Sequence, residues 1–178
     1  MSYRPTPPPE AAAVFLGGAV QTFLIPQPLD ITADLVDCMH SVKMPELNDL
    51  LDQAMEKYEN GDVMGFAMDI SDATDLYVQA IHPSCDNTPT VINGLAKVAE
   101  IGNAFLAQAD PEQAALDNYN ANIALITAYG SIMTPAWNNQ LYHQAGQFFG
   151  FMASDVIIAP DIPDTLGGLI VAKLLALQ

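Results

Sequence analysis

The sequence predicts an all-α fold, a single-domain bundle of about seven or eight helices, and three observations lead to it. Apolar residues recur at the three- and four-residue spacing of a helix through most of the 178 residues. No run alternates apolar and polar residues long enough to demand a strand. The prolines, glycines and short polar residues that punctuate a chain fall between those periods, where they start and stop helices. With 51% hydrophobic residues the chain can bury one sizeable core. Three parts are expected: a proline-rich extended arm over 1–9, a helical domain over 10–158, and a proline-flanked apolar helix within 159–178.

The arm (YRPTPPP, residues 3–9) is extended because each proline fixes φ and removes a donor, so the segment can neither coil nor pair. Residues 10–24 follow as a helix with Val14, Phe15, Ala19, Val20 and Phe23 on or near one stripe, ended by Pro26 and Pro28. Asp30 caps a second helix to about residue 41. Pro45 opens a third to Tyr58, with Leu47, Leu50, Leu51 and Met55 inward and Asn60-Gly61 as its stop. Asp62 caps a fourth through Ile81, and Thr88-Pro89 opens a fifth to about Gln108. Asp110-Pro111-Glu112-Gln113 is the best start signal in the chain, with Asp at the cap, Pro at the first turn and Gln placed for a capping box; its helix is expected to reach Ile132. Thr134-Pro135 starts another, carrying Trp137, Leu141, Phe148, Phe149 and Phe151 toward Val156. Asp164 caps a last helix over 165–177.

Lys and Arg number 5 against 21 acids, a formal net charge of -16. Such a surface repels phosphate backbones and anionic headgroups, which argues against nucleic acid as a partner. The first apolar run lacks a basic n-region and is shorter than the roughly 20 residues of a spanning helix, so it reads as a core helix and the chain as no integral membrane protein.

Cys38 and Cys85 lie 47 residues apart, at the ends of helices flanking the hairpin of the third and fourth helices. Together with His40 and His82 they resemble a zinc quartet, but ligands two apart on a helix point to different sides. A disulfide or buried thiols are favoured; a disulfide would imply an oxidising or extracellular compartment, and thiols a cytoplasmic one. Asp69, Asp72 and Asp75 form an acidic ridge without the glycine and bidentate glutamate of a calcium loop, so a solvated face is expected. Gly146 and Gly150, four apart, suit a close helix approach, inside the fold or between subunits. His143 beside Tyr142 comes with no nucleophile or metal motif, and no phosphate-cradling glycine loop is present. No enzyme activity, cofactor or metal is expected.

The order of these pieces resembles a family: an apolar helix (12–23), a cysteine helix (Leu35-Val-Asp-Cys-Met39), a long helix with an Asn60-Gly-Asp62 break, Cys85, and the late run Tyr142-His-Gln-Ala-Gly-Gln-Phe-Phe-Gly150. It is similar to a family of small all-helical proteins, expanded in ciliates and other protists, whose two cysteines bracket a helical hairpin and whose late helix carries an aromatic and G-x-x-x-G. The likeness covers residues 11–154 and implies the fold and a Cys38–Cys85 disulfide, with no assigned activity.

Two functions are in contention. The first is a structural or interaction protein, a subunit of a homo-oligomer, filament or larger complex. It would dock through Tyr3, Pro7, Pro8 and Pro9 of the arm and through Leu166, Leu169, Ile170, Leu174 and Leu175 of the last helix, which has almost no polar face. The second is a helical carrier of a small apolar ligand or lipid, using an interior of 8 Met and 7 Phe as its lining. Ordinary core packing explains the same residues more simply, and an empty or filled cavity would separate the two.

Overall fold

The computed structural model describes residues 7–24 and 28–157. Among them are eight helices and no strand: α1 (Ala11–Phe23), α2 (Thr32–Cys38), α3 (Met44–Glu59), α4 (Val63–Ile81), α5 (Pro89–Leu106), α6 (Pro111–Ala121), α7 (Ile123–Asn138) and α8 (Tyr142–Ile157). The all-α bundle is therefore what forms. Tyr3 and the docking residues Leu166, Leu169, Ile170, Leu174 and Leu175 lie outside the described residues.

The centre is α1. Ten of its thirteen residues are buried, including Ala11, Ala12, Phe15 and Val20. A helix apolar on nearly every side must be wrapped, and α1 packs against α2, α3, α5 and above all α8. Its N-terminal residue Glu10 makes no side-chain cap. The free N–H of Ala12 instead donates to Asn48 Oδ1 at 2.9 Å, from the buried face of α3. The same side chain donates from Nδ2 to the carbonyls of Pro8 and Pro9 at 3.1 and 3.2 Å. The end of the arm is thus held by its own chain, where the sequence alone suggests no partner for it.

Between α1 and α8 the backbones nearly touch. A methyl group on Gly146 would stand 1.9 Å from the Phe15 carbonyl oxygen, and one on Gly18 would stand 2.2 Å from that of His143. On Gly150 it would meet Thr22 Oγ1 at 1.9 Å. Only hydrogen fits at these positions. Thr22 Oγ1 donates across the seam to the Gln147 carbonyl at 2.7 Å. Phe148 and Phe151, on the far side of α8, pack on Tyr129 of α7.

The hairpin of α3 and α4 turns at Gly61, whose φ of 82° is the left-handed conformation that ends a helix. Gly61 N donates to the Tyr58 carbonyl and Asp62 N to that of Lys57, and the Asp62 carboxylate then caps α4 by accepting from Gly65 N at 2.8 Å. Cys38, at the end of α2, is bonded to Cys85, in the turn after α4, so a disulfide brackets the hairpin. That pairing removes both thiolates from any zinc site.

Two helix boundaries differ from the sequence expectation. The helix expected from Asp110 to Ile132 breaks at Asn122, between α6 and α7. Asn122 leaves helical geometry because its side chain donates to the carbonyls of Asn118 and Asp155, at 3.0 and 3.2 Å, and so fastens the break to the end of α8. The helix expected to start at Thr134 does not, since α7 runs straight through Pro135. A proline inside a helix costs about 3 kcal/mol, but Met133, Thr134, Ala136 and Trp137 around it are all buried, and their packing outweighs that loss. The stop comes instead at Gln140, a non-glycine with φ 65°. There Gln140 N and Leu141 N donate back to the carbonyls of Trp137 and Ala136.

Gly146→Ala and Gly150→Leu should each lower stability by about 1 to 3 kcal/mol through overpacking. Gly102, on α5 with nothing near its missing methyl, is the control: Gly102→Ala should leave the urea midpoint unchanged or raise it slightly. Reduction of the disulfide, or the Cys38→Ser/Cys85→Ser double variant, should lower the unfolding free energy by about 4 kcal/mol, the loop-closure entropy of its 47-residue separation. Paired urea titrations with and without reductant measure it.

Candidate functional site

An apolar cleft of about 750 Å³ lies between α1, α4, α5 and α8. Each wall is a helix showing a stripe at three- and four-residue spacing. The stripe of α1 is Leu16, Val20 and Phe23, and that of α4 is Ile70, Ala73, Tyr77 and Ile81. From α5 come Ile92, Leu95 and Ala99, and from α8 Phe149, Ala153 and Ile157. The sequence marked Val20 and Phe23 of α1, Ile70, Tyr77 and Ile81 of α4 and Phe149 of α8 as apolar positions of their helices and named no stripe on α5. It did not show that four helices would face a common space.

Few polar groups reach the cleft, and they are already engaged. Thr74 Oγ1 donates to the Ile70 carbonyl at 2.9 Å. Tyr77 OH donates to the Ala12 carbonyl at 2.7 Å, and burial holds its pKa well above the usual phenol value. His82, at the rim, pairs with Asp86. The wall of α5 is thinly attached, with only Val91 and Gly94 of that helix buried. A more open hollow of about 710 Å³ lies where Pro8 and Glu10 approach Tyr142 and His143.

The sequence-selected residues fall in different places. Gly150 lies in the α1–α8 seam and also lines the cleft, whereas Gly146 lies in the seam alone. Cys38 and Cys85 sit beyond the end of α4, where they tie α2 to the turn that leads into α5. The acidic ridge does not form as a unit. Asp69 turns inward and bonds Lys57 Nζ at 2.9 and 3.0 Å, while Asp72 and Asp75 stay exposed. Among the described residues, no group of three or more His, Cys, Asp or Glu side chains could hold a metal ion. His143 is half-buried on α8, and its Nε2 has no hydrogen-bond partner.

One polar pair escaped sequence reasoning. Tyr129 OH and Asp155 Oδ2 are both buried without a hydrogen-bond partner. Burial raises the Tyr129 pKa far above the phenol range, and the Asp155 charge adds to the effect. Burial also pushes the Asp155 carboxyl up to about 6. The neighbouring backbone is better served, since Asn118 Nδ2 donates to the Val156 carbonyl at 2.8 Å. No amphipathic period marks an aspartate near a helix end as buried, and only the fold brings α7 against it.

Among the described residues no helix is long and apolar enough to cross a membrane. No family model, curated protein or solved structure matches the chain.

A carboxyl whose pKa is higher in the fold than its value of 3.8 when free binds its proton more tightly in the native state. Its stabilising contribution is therefore complete below about pH 4 and lost as pH rises through 6. Two units would correspond to about 3 kcal/mol, which partial solvent access reduces to about 1. Asp155→Asn should then be about 1 kcal/mol more stable than the parent at pH 7.5, and the advantage should shrink toward pH 4.5. Thermal melts across that range check both the sign and the window.

Proposed function

We propose that the chain is a non-enzymatic binding protein that carries a neutral apolar ligand in the cleft. The observation behind this reading is the cleft itself. Its volume of about 750 Å³ lies inside the range of about 300 to 1,000 Å³ typical of small-molecule sites, and its lining is almost wholly apolar.

The choice of binding over catalysis follows from the lining. A reaction needs convergent polar groups able to move protons or hold charge, and the hydroxyls of Thr74 and Tyr77 are already committed to backbone carbonyls. The choice of a neutral guest follows from charge. At a net charge of -16 the surface field opposes an anionic headgroup, so a long-chain alcohol, an ester or a sterol-like molecule fits better than a fatty-acid anion. The alternative role, a subunit of a larger assembly, draws its support from terminal segments that lie mostly outside the described residues.

An uncharged solvatochromic dye should bind with one site per chain and a blue-shifted emission. Val78 and Ala96 line the cleft and are exposed, so charge there leaves folding intact. Val78→Glu or Ala96→Glu should weaken dye binding at least tenfold, with far-UV circular dichroism unchanged. Equal binding by parent and both variants would discard the carrier reading.

A further inference from the structure

We infer that the cleft has a resident occupant in this same chain: the apolar segment 166–177, seated against α4, α5 and α8 as a plug that an apolar guest must displace. The plug's competition with a guest rests on the carrier reading; its docking does not.

The argument begins where α8 ends. Ile157, the last residue of α8, lines the cleft, so the chain passes into the following segment from the cleft's own wall. Residues 158–165 then supply eight residues before Leu166, a reach of up to about 27 Å, ample to turn back over the opening. Those eight include Pro160, Pro163 and Asp164, residues that make turns and start helices.

The segment also fits in length and chemistry. As a helix its twelve residues would measure about 18 Å. The stretch of α4 that lines the cleft, Ile70 to His82, has the same rise of about 18 Å. Leu166, Leu169, Ile170, Leu174 and Leu175 recur at three- and four-residue intervals and would supply the face that the four walls lack. The only charge among them is Lys173. Its long stem allows the ammonium to remain at the rim, in water.

The effective concentration of a tethered plug is in the millimolar range for a short linker, so even a weakly docking segment competes with a free ligand. The plug would keep the apolar lining out of water in the empty protein and make ligand uptake an exchange of one apolar occupant for another.

A photoreactive benzophenone amino acid at position 169 or 174 of the full chain tests the docking directly. Irradiation should give adducts within one chain, mapped by mass spectrometry to peptides containing residues 70–82 or 92–99. Adducts between two chains, or to the face of α6, would overturn the inference, the first in favour of a second copy as the occupant. The exchange is read by the uncharged dye. Removal of residues 165–178, or Leu169→Asp/Leu174→Asp in the full chain, should tighten dye binding about tenfold, and a synthetic peptide of residues 164–178 added to the truncated protein should reverse it. Equal dye affinity with and without the segment, while Val78→Glu still weakens it, would overturn the plug and leave the carrier intact. Intrachain adducts in a protein that binds no dye would uphold the docking and remove the carrier instead.

Discussion

The closest constraint in the molecule is the contact of two backbones, α1 and α8, where no side chain fits between Gly146 and the Phe15 carbonyl or between Gly18 and that of His143. Everything else is arranged around that seam. With α8 drawn against one flank of α1, the aromatic side chains of α8 are forced outward to two other faces: Phe148 and Phe151 toward Tyr129 of α7, and Phe149 toward Phe15 and Phe66. The first set closes the core. The second becomes one wall of the cleft, which α4 and α5 face from the other side. The central helix thus has a tight contact on one side and an open one on the other.

Helices so deeply buried need their polar ends satisfied from outside, and here three amides do it. Asn48 caps the start of α1 and holds the preceding prolines, and Asn118 and Asn122 bond the carbonyls at the end of α8. Unpaired buried backbone groups each cost free energy comparable to a lost hydrogen bond, so these three side chains favour burial of both helices. Asp155 shows the opposite case, a carboxylate carried inside by the helix it belongs to, with one oxygen left over.

Local chemistry was legible in the sequence and long-range chemistry was not. The stops at Asn60-Gly61 and the caps at Asp62 and Asp110 act within four residues, and they stand where the sequence placed them. Gln113 departs in detail: its amide reaches forward to Asp117 at 2.8 Å instead of back to the cap. The boundaries that moved were those decided by distant partners. Pro135 reads as a helix start until the burial of Trp137 and Met133 is known, and Asn122 reads as helix interior until α8 arrives beside it. The cleft was hidden for a related reason. A residue facing an open apolar space and one facing a filled core have the same spacing along the chain, and only the separation of helices distinguishes them.

The disulfide has a mechanical meaning for α5. That helix begins four residues after Cys85, which is pinned to the end of α2, and its first turns rest on Ile31 and Leu29 through Gly94. Beyond Gly94 no residue of α5 is fully buried, and Leu106 at its far end is 66% exposed. A rod clamped at one end and loosely supported along its length is a cantilever, whose tip moves most under a given force. Opening the cleft by tilting α5 would strain few packed contacts, and the covalent tether before its first turn would fix the end about which the rod pivots.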